Sequence, residues 1–262
     1  MTRSLTRHPN HTDVIRSDRP GPVSVGTGRL LRMSFQALLL DLDDTLFDHR
    51  GAADRGLRTW LAGLGLAQTP GELEEHVERW FVLETRHHER AQRGEVSFVE
   101  HRRARIRDFL PGWDLADDAL ADDVYAGFLA CYRAAWRAFD DAGAAIDAAR
   151  AAGIPVGILT NGDQAVQTEK VRRTGLLRPD VPVFASSSLP AAKPDARSYL
   201  TACRSLDADP AATLMVGDSL RHDVVGAQRA GLKALLLDRH GRHDARRTGV
   251  RVQTVRSLTE VA

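Results

Sequence analysis

The stretch that most constrains this chain is Leu38-Leu39-Leu40-Asp41-Leu42-Asp43-Asp44-Thr45-Leu46. An apolar run ends abruptly in three carboxylates, Asp41, Asp43 and Asp44. The run reads as a fully buried strand of a parallel sheet and is too short for a helix. In open parallel sheets, ligands bind just beyond the carboxyl ends of the strands. Asp41 and Asp43 are therefore expected at the lip of the sheet, where a crevice can form. Like charges packed this closely cost free energy unless a cation or a bound proton offsets them. Two readings follow from the residues: a divalent metal site, or carboxylates with separate acid and nucleophile roles.

The 262 residues suffice for one large domain or for a core with an inserted one. With 43% hydrophobic and 27% charged residues, the chain has the composition of an ordinary soluble globular protein. A formal net charge of +1 gives no reason to expect nucleic acid or an anionic membrane as partner. The expected partner is a small molecule, acting on a monomer or homodimer. Arginine dominates the basic residues, and the only lysines are Lys170, Lys193 and Lys233, so each can be weighed individually. Cys131 and Cys203 lie far apart, without metal-ligand spacing, and read as small core residues of a reducing cytoplasm. No apolar stretch approaches the ~20 residues a bilayer requires, and the N-terminus lacks the apolar segment of a secretory signal. A cytoplasmic location is expected.

Residues 1–33 are rich in Arg, His, Pro, Gly, Ser and Thr without apolar periodicity and read as a disordered extension, with Met33 a candidate start. After Leu46 the pattern turns helical. Leu57, Trp60, Leu61 and Leu64 share one helical face; Leu73, Val77, Trp80, Phe81 and the polar Glu84 share another. Ser97 and Glu100 form a capping box, opening a helix with Phe98, Ile106, Phe109 and Leu110 that stops at Pro111-Gly112. Leu120, Val124, Phe128, Tyr132 and Trp136 follow at spacings of four. Residues 48–139 thus predict a four-helix bundle. Strands and helices then alternate: strands at Val156–Thr160, Val183–Ser186, Thr213–Asp218 and Ala234–Asp238, helices at Ala165–Arg173, Asp195–Ser205 and His222–Ala230. A peripheral strand is expected within Val250–Val255. The fold class is α/β, a Rossmann-like parallel sheet core (34–47 and 140–262) with an inserted helical-bundle cap domain (48–139).

Four motifs carry the chemistry. The first is the strand end described above. The second is Thr160-Asn161-Gly162, where a hydroxyl and backbone N–H groups can hold an oxyanion. The third is Lys193-Pro194, whose ammonium can neutralise carboxylates and hold phosphate. The fourth is Val216-Gly217-Asp218-Ser219-Leu220-Arg221-His222-Asp223. In this order, with a helical block after the first strand, they resemble the motifs of the haloacid dehalogenase-like hydrolase superfamily, subfamily I with a type-1 cap, over about residues 37–237. The resemblance implies Asp41 as nucleophile and Asp43 as general acid/base. It implies Thr160, Asn161 and Lys193 as holders of the phosphoryl group. It implies Mg²⁺ bound by the Asp41 side chain, the Asp43 backbone carbonyl and the Asp218 side chain, with Asp223 and Ser219 behind them orienting waters and Lys193. Dehalogenases of the superfamily lack an acid at the position of Asp43, and a halide leaving group needs no proton, whereas an alkoxide does. Asp43 therefore favours a phosphatase cleaving small-molecule phosphate monoesters through an aspartyl-phosphate. A phosphomutase, a 2-haloacid dehalogenase and a non-catalytic phosphate-binding protein are the alternatives. Specificity is expected to reside in the cap, with His49, Arg50, His87, His88, Arg102 and Arg103 as candidates.

Overall fold

The computed structural model describes residues 34–66, 69–92, 95–243 and 252–261. The extension expected at 1–33 and the side chain of His88 lie outside them. Among the described residues there are six strands, β1 (Ala37–Leu40), β2 (Val156–Thr160), β3 (Val183–Ala185), β4 (Thr213–Gly217), β5 (Lys233–Leu237) and β6 (Thr254–Val255). The helices are α1 (His49–Leu64), α2 (Pro70–Gln92), α3 (Phe98–Phe109), α4 (Asp118–Ala134), α5 (Ala142–Ala151), α6 (Gln164–Arg173), α7 (Ala196–Ser205) and α8 (Gly226–Arg229). Among these residues no helix is long and apolar enough to cross a membrane.

The strands form one sheet in the order β3-β2-β1-β4-β5-β6, and every pair is parallel. This is the Rossmann-like α/β class expected from the alternation of strands and helices. All four residues of β1 are buried, because the strand is central and covered on both faces. The two-residue period of the strand divides them between two cores. Leu38 and Leu40 join Ile146 and Ala149 of α5, whereas Leu39 joins Tyr199, Ala202 and Cys203 of α7. Each such leucine contributes roughly 1.5–3 kcal/mol of burial free energy.

Between β1 and α5 the chain leaves the sheet and returns beside itself. Phe47 bridges Ala138, Phe139 N donates to the Leu46 carbonyl at 2.9 Å, and Asp48 N donates to the Arg137 carbonyl at 3.1 Å. Four helices fill this insertion. Asp48 and Asp117 cap α1 and α4 by accepting from Gly51 N and Leu120 N, and Ser97 and Glu100 form the expected capping box on α3. Trp80 is the centre of the bundle, with ring centroids 4.9 Å from Phe109 and 4.3 Å from Phe128. A Cβ on Gly56 would fall 2.6 Å from the Tyr132 backbone, so α1 and α4 approach where only glycine fits. Leu64, Phe98 and Leu120, expected on apolar faces, are exposed. Each sits within the first or last turn of its helix, beyond the reach of the neighbouring helices.

Two further expectations change. In place of a regular helix from His222, a π-helical turn, Leu220–Val225, leads into α8. The peripheral strand shrinks, among the described residues, to Thr254–Val255.

Candidate active site

β1 and β4 are neighbours, and the strand order reverses between them, so a crevice opens beyond their carboxyl ends. Asp41 follows β1 into it, and Asp218 follows β4. Lys193 arrives from the loop before α7, and its Nζ donates at 2.6 Å to Asp41 Oδ1 and at 2.6 Å to Asp223 Oδ1. All three side chains are buried. Burial works against the Lys193 charge, but Asp223 and Asp41 outweigh it and hold its pKa above the usual lysine range. Asp41 is pushed up to about 7, by burial first and by the Asp223 and Asp43 charges next, with Lys193 opposing. Asp223 also accepts from Ser219 N at 2.9 Å. Gly217 makes room for that carboxylate: a Cβ there would lie 2.3 Å from it.

Thr45 links the two strand ends. Its Oγ1 accepts from Asp218 N at 3.1 Å and donates to Asp41 Oδ2 at 3.4 Å. Asn161 clamps the backbone of Lys193: its Nδ2 donates to the Lys193 carbonyl at 3.0 Å, and its Oδ1 accepts from Lys193 N at 2.9 Å. The Asn161 side chain is thereby used in positioning the lysine, and only its backbone N–H is left to face an oxyanion. Thr160 closes β2, and its Oγ1 accepts from Gln167 Nε2 at 2.7 Å.

Asp43 is held from α6. Lys170 Nζ donates to its Oδ1 at 2.6 Å and Gln167 Nε2 to its Oδ2 at 2.9 Å. Burial would raise this carboxyl, but Lys170 and His49 outweigh burial and keep it below its ordinary value. Asp218 is open to the cleft, yet poor hydration there, followed by the Asp41 and Asp223 charges, pushes it up to about 9.

Asp41, Asp218 and Asp223 can bring one carboxylate oxygen each within 4.8 Å of one another. Lys193 takes one oxygen of Asp41 and one of Asp223, and Ser219 N takes the other oxygen of Asp223. Asp41 Oδ2, whose bond from Thr45 Oγ1 is 3.4 Å long, and the Asp218 carboxylate can still face a ligand. Three acids facing one ammonium repel one another, which is why Asp41 and Asp218 are pushed up; a divalent cation on these hard oxygen donors would let them ionise, which suits Mg²⁺.

A cleft of about 850 Å³ reaches the edge of this site at Asp218 and Asp44, with Arg50, Phe81, Arg137 and Arg239 also in its wall, whereas Asp41, Asp43 and Lys193 lie behind its lining. Of the residues considered for specificity, Arg50 lines it, with its guanidinium 4.0 Å over the Phe81 ring. His49 pairs with Tyr132 Oη at 2.8 Å and lies 3.8 Å from Glu84. Arg102 and Arg103 do not line the cleft. Arg103 is instead engaged by Asp118 at 2.6 Å and by Asp122, on α4. His87 is buried rather than solvated, and bonds Asp108 at 2.8 Å. Thr45, Gln167 and Lys170 were not anticipated as site residues. The scarcity of lysine was the signal for Lys170: two of the three lysines touch the acidic cluster.

The family model of the haloacid dehalogenase-like hydrolases matches residues 35–231. Phosphatase MT3486 of Mycobacterium tuberculosis (strain CDC 1551 / Oshkosh) is 35% identical over 111 residues, 42% of this chain and 51% of that protein. The alignment therefore spans about half of that relative's length. Ribulose-1,5-bisphosphate 5-phosphatase of Halopiger xanaduensis is 27% identical over 225 residues, 84% of this chain and 92% of that protein. Among solved structures, the HAD-hydrolase YfnB of Bacillus subtilis, bound to magnesium, superposes with a TM-score of 0.70 at 23% identity, covering 87% of this chain and 96% of that one. The L-2-haloacid dehalogenase of Xanthobacter autotrophicus superposes with a TM-score of 0.63 at 21% identity, covering 87% and 96%. At these identities the superpositions establish the fold.

Proposed function

The chain belongs to the haloacid dehalogenase-like hydrolase family, and from that premise we propose that it is a Mg²⁺-dependent phosphatase of small-molecule phosphate monoesters. The observation that carries this reading is Asp43, a second carboxylate two residues beyond Asp41, anchored by hydrogen bonds at both oxygens. Displacing a halide requires no proton donor, whereas expelling an alkoxide does. The phosphatases among the relatives support the same choice.

In this reading Asp43, ionised in the free site, takes up a proton from solvent as the anionic phosphate binds beside it; Asp41 attacks phosphorus in line, and the bond to the leaving oxygen breaks as Asp43 delivers that proton to it. Asp43 then takes a proton from a water that attacks the aspartyl-phosphate, releasing phosphate and restoring Asp41. Lys193, Thr160 Oγ1 and the Asn161 N–H hold the phosphoryl oxygens. Mg²⁺, held by the Asp41 side chain, the Asp43 carbonyl and the Asp218 side chain, would offset the repulsion between anionic nucleophile and anionic phosphate. Asp223 and Ser219 keep Lys193 aimed at Asp41. The specificity contacts fall to the cleft wall of the cap, with Arg50 the candidate that lines it. Two free cysteines fit a cytoplasmic enzyme.

The test offers a panel of phosphate monoesters and a panel of 2-haloacids to the same preparation, with Mg²⁺. Phosphate released without halide is the expected outcome. Halide released without phosphate would replace this reading with a dehalogenase.

A further inference from the structure

Helix α6 carries none of the residues assigned to the reacting atoms, yet two of its buried side chains reach into the site. Lys170 and Gln167 are spaced by three residues and therefore share a face. Asp163 caps the helix by accepting from Val166 N at 3.0 Å, which starts α6 directly after Thr160-Asn161-Gly162. The helix is thus rigidly joined to the strand end that carries Thr160.

Lys170 is 5% exposed. Its ammonium lies 5.0 Å from the Phe47 ring centroid and 2.6 Å from Asp43 Oδ1, its carboxylate partner among the described residues. A buried ammonium needs an anion, and a buried anion needs donors on both oxygens. Gln167 supplies the second donor. Its Nε2 lies 2.9 Å from Asp43 Oδ2, 2.7 Å from Thr160 Oγ1 and 3.3 Å from the Asn161 carbonyl. One amide therefore ties the carboxylate after β1 to the hydroxyl after β2. With both oxygens anchored, Asp43 is confined to one orientation.

We infer that Lys170 and Gln167 are positioning residues that fix the Asp43 carboxylate for proton transfer and set its place relative to Thr160. The inference rests on the phosphomonoesterase reading, since it concerns the group that protonates the leaving oxygen. Neither side chain touches the reacting atoms: both act through Asp43, and Gln167 also through Thr160.

The test is a double-mutant cycle on kcat and KM for a simple alkyl phosphate with saturating Mg²⁺. Wild type, Lys170→Met, Asp43→Asn and the double variant are compared, with melting temperatures measured in parallel. Met preserves the length of the buried stem while removing the charge. Lys170→Met is expected to lower kcat by about tenfold or more, with KM changed by less than about threefold. In the Asp43→Asn background the same substitution should change kcat by less than about twofold, because the group it positions is already gone. Equal losses in the two backgrounds would overturn the positioning role and leave Lys170 as structural support, while the phosphatase reading stood. Absence of phosphate release by the wild type would overturn that reading and this inference with it. Should Lys170→Met not fold, Gln167→Leu, which keeps the ion pair, takes its place in the same cycle. Its loss should likewise shrink in the Asp43→Asn background, and an undiminished loss would overturn the inference.

Discussion

Lys193 shows how single residues set the electrostatics of this site. It is fully enclosed, and it remains charged because two carboxylates face it at 2.6 Å each. Gly217 is what lets one of those carboxylates approach. Gly217→Ala would place a Cβ 2.3 Å from Asp223, so the carboxylate must move and Lys193 loses half of its support. A kcat loss of roughly tenfold to a hundredfold is expected, together with a lower melting temperature because a buried ion pair is disturbed; unchanged kcat in the folded variant would show that Asp223 does not matter to the lysine's aim. Asp43→Asn should hurt alkyl phosphates far more than p-nitrophenyl phosphate, because a good leaving group needs less protonation. Comparing kcat/KM on the two ester classes checks it, and equal losses would contradict the general-acid role. Much of this site was legible residue by residue, since Asp41, Thr160 and Asp218 sit at strand ends, and Lys193 and Asp223 in the segments beyond them, in recognisable motifs. Lys170 was not, because its partner is Asp43, 127 positions away, and nothing in the local pattern of α6 reports a partner that distant.

Among the elements, α3 shows what local sequence can specify. Ser97 and Glu100 satisfy each other's backbone N–H, at 3.1 Å and 2.8 Å, as their spacing predicts. Ser97→Ala should cost the cap about 1 kcal/mol in a denaturant titration, and no loss would mean that packing alone fixes the start of the helix. The turn at Leu220–Val225 shows the limit. Its residues would suit an ordinary helix, but Asp223 must be buried between Ser219 N and Lys193. That requirement comes from a lysine 30 positions away in the chain, and the turn there is π-helical rather than regular. The exposed Phe98 and Leu120 show the same limit: periodicity marks a face but not where the neighbouring helices stop.

At the scale of the molecule, an α/β core and a helical insertion meet at a paired crossing beside the site. His49 stands at this meeting point, at the start of α1, between Glu84 of α2 and Tyr132 of α4. Burial works against its charge, but Glu84 and Asp43 outweigh it and raise it to about 9. A folded value above the unfolded one, ~6.5, means that protonation favours the folded state. The contribution is fully present below about pH 6.5 and is lost as pH rises through about 9. Melting temperature should therefore fall across that window, in which Asp41 and Asp218 also lose protons that favour the folded state, and His49→Gln should lessen the fall; an identical profile in the variant would remove His49 as a cause. The central claim is that Asp41, with a divalent cation, carries phosphoryl transfer at the carboxyl ends of β1 and β4. Its most direct test is phosphate release by wild type and Asp41→Asn, each with Mg²⁺ and with chelator. Turnover by the wild type that stops with chelator, and no turnover by a folded Asp41→Asn, is the predicted result. Turnover that survives in Asp41→Asn would contradict it.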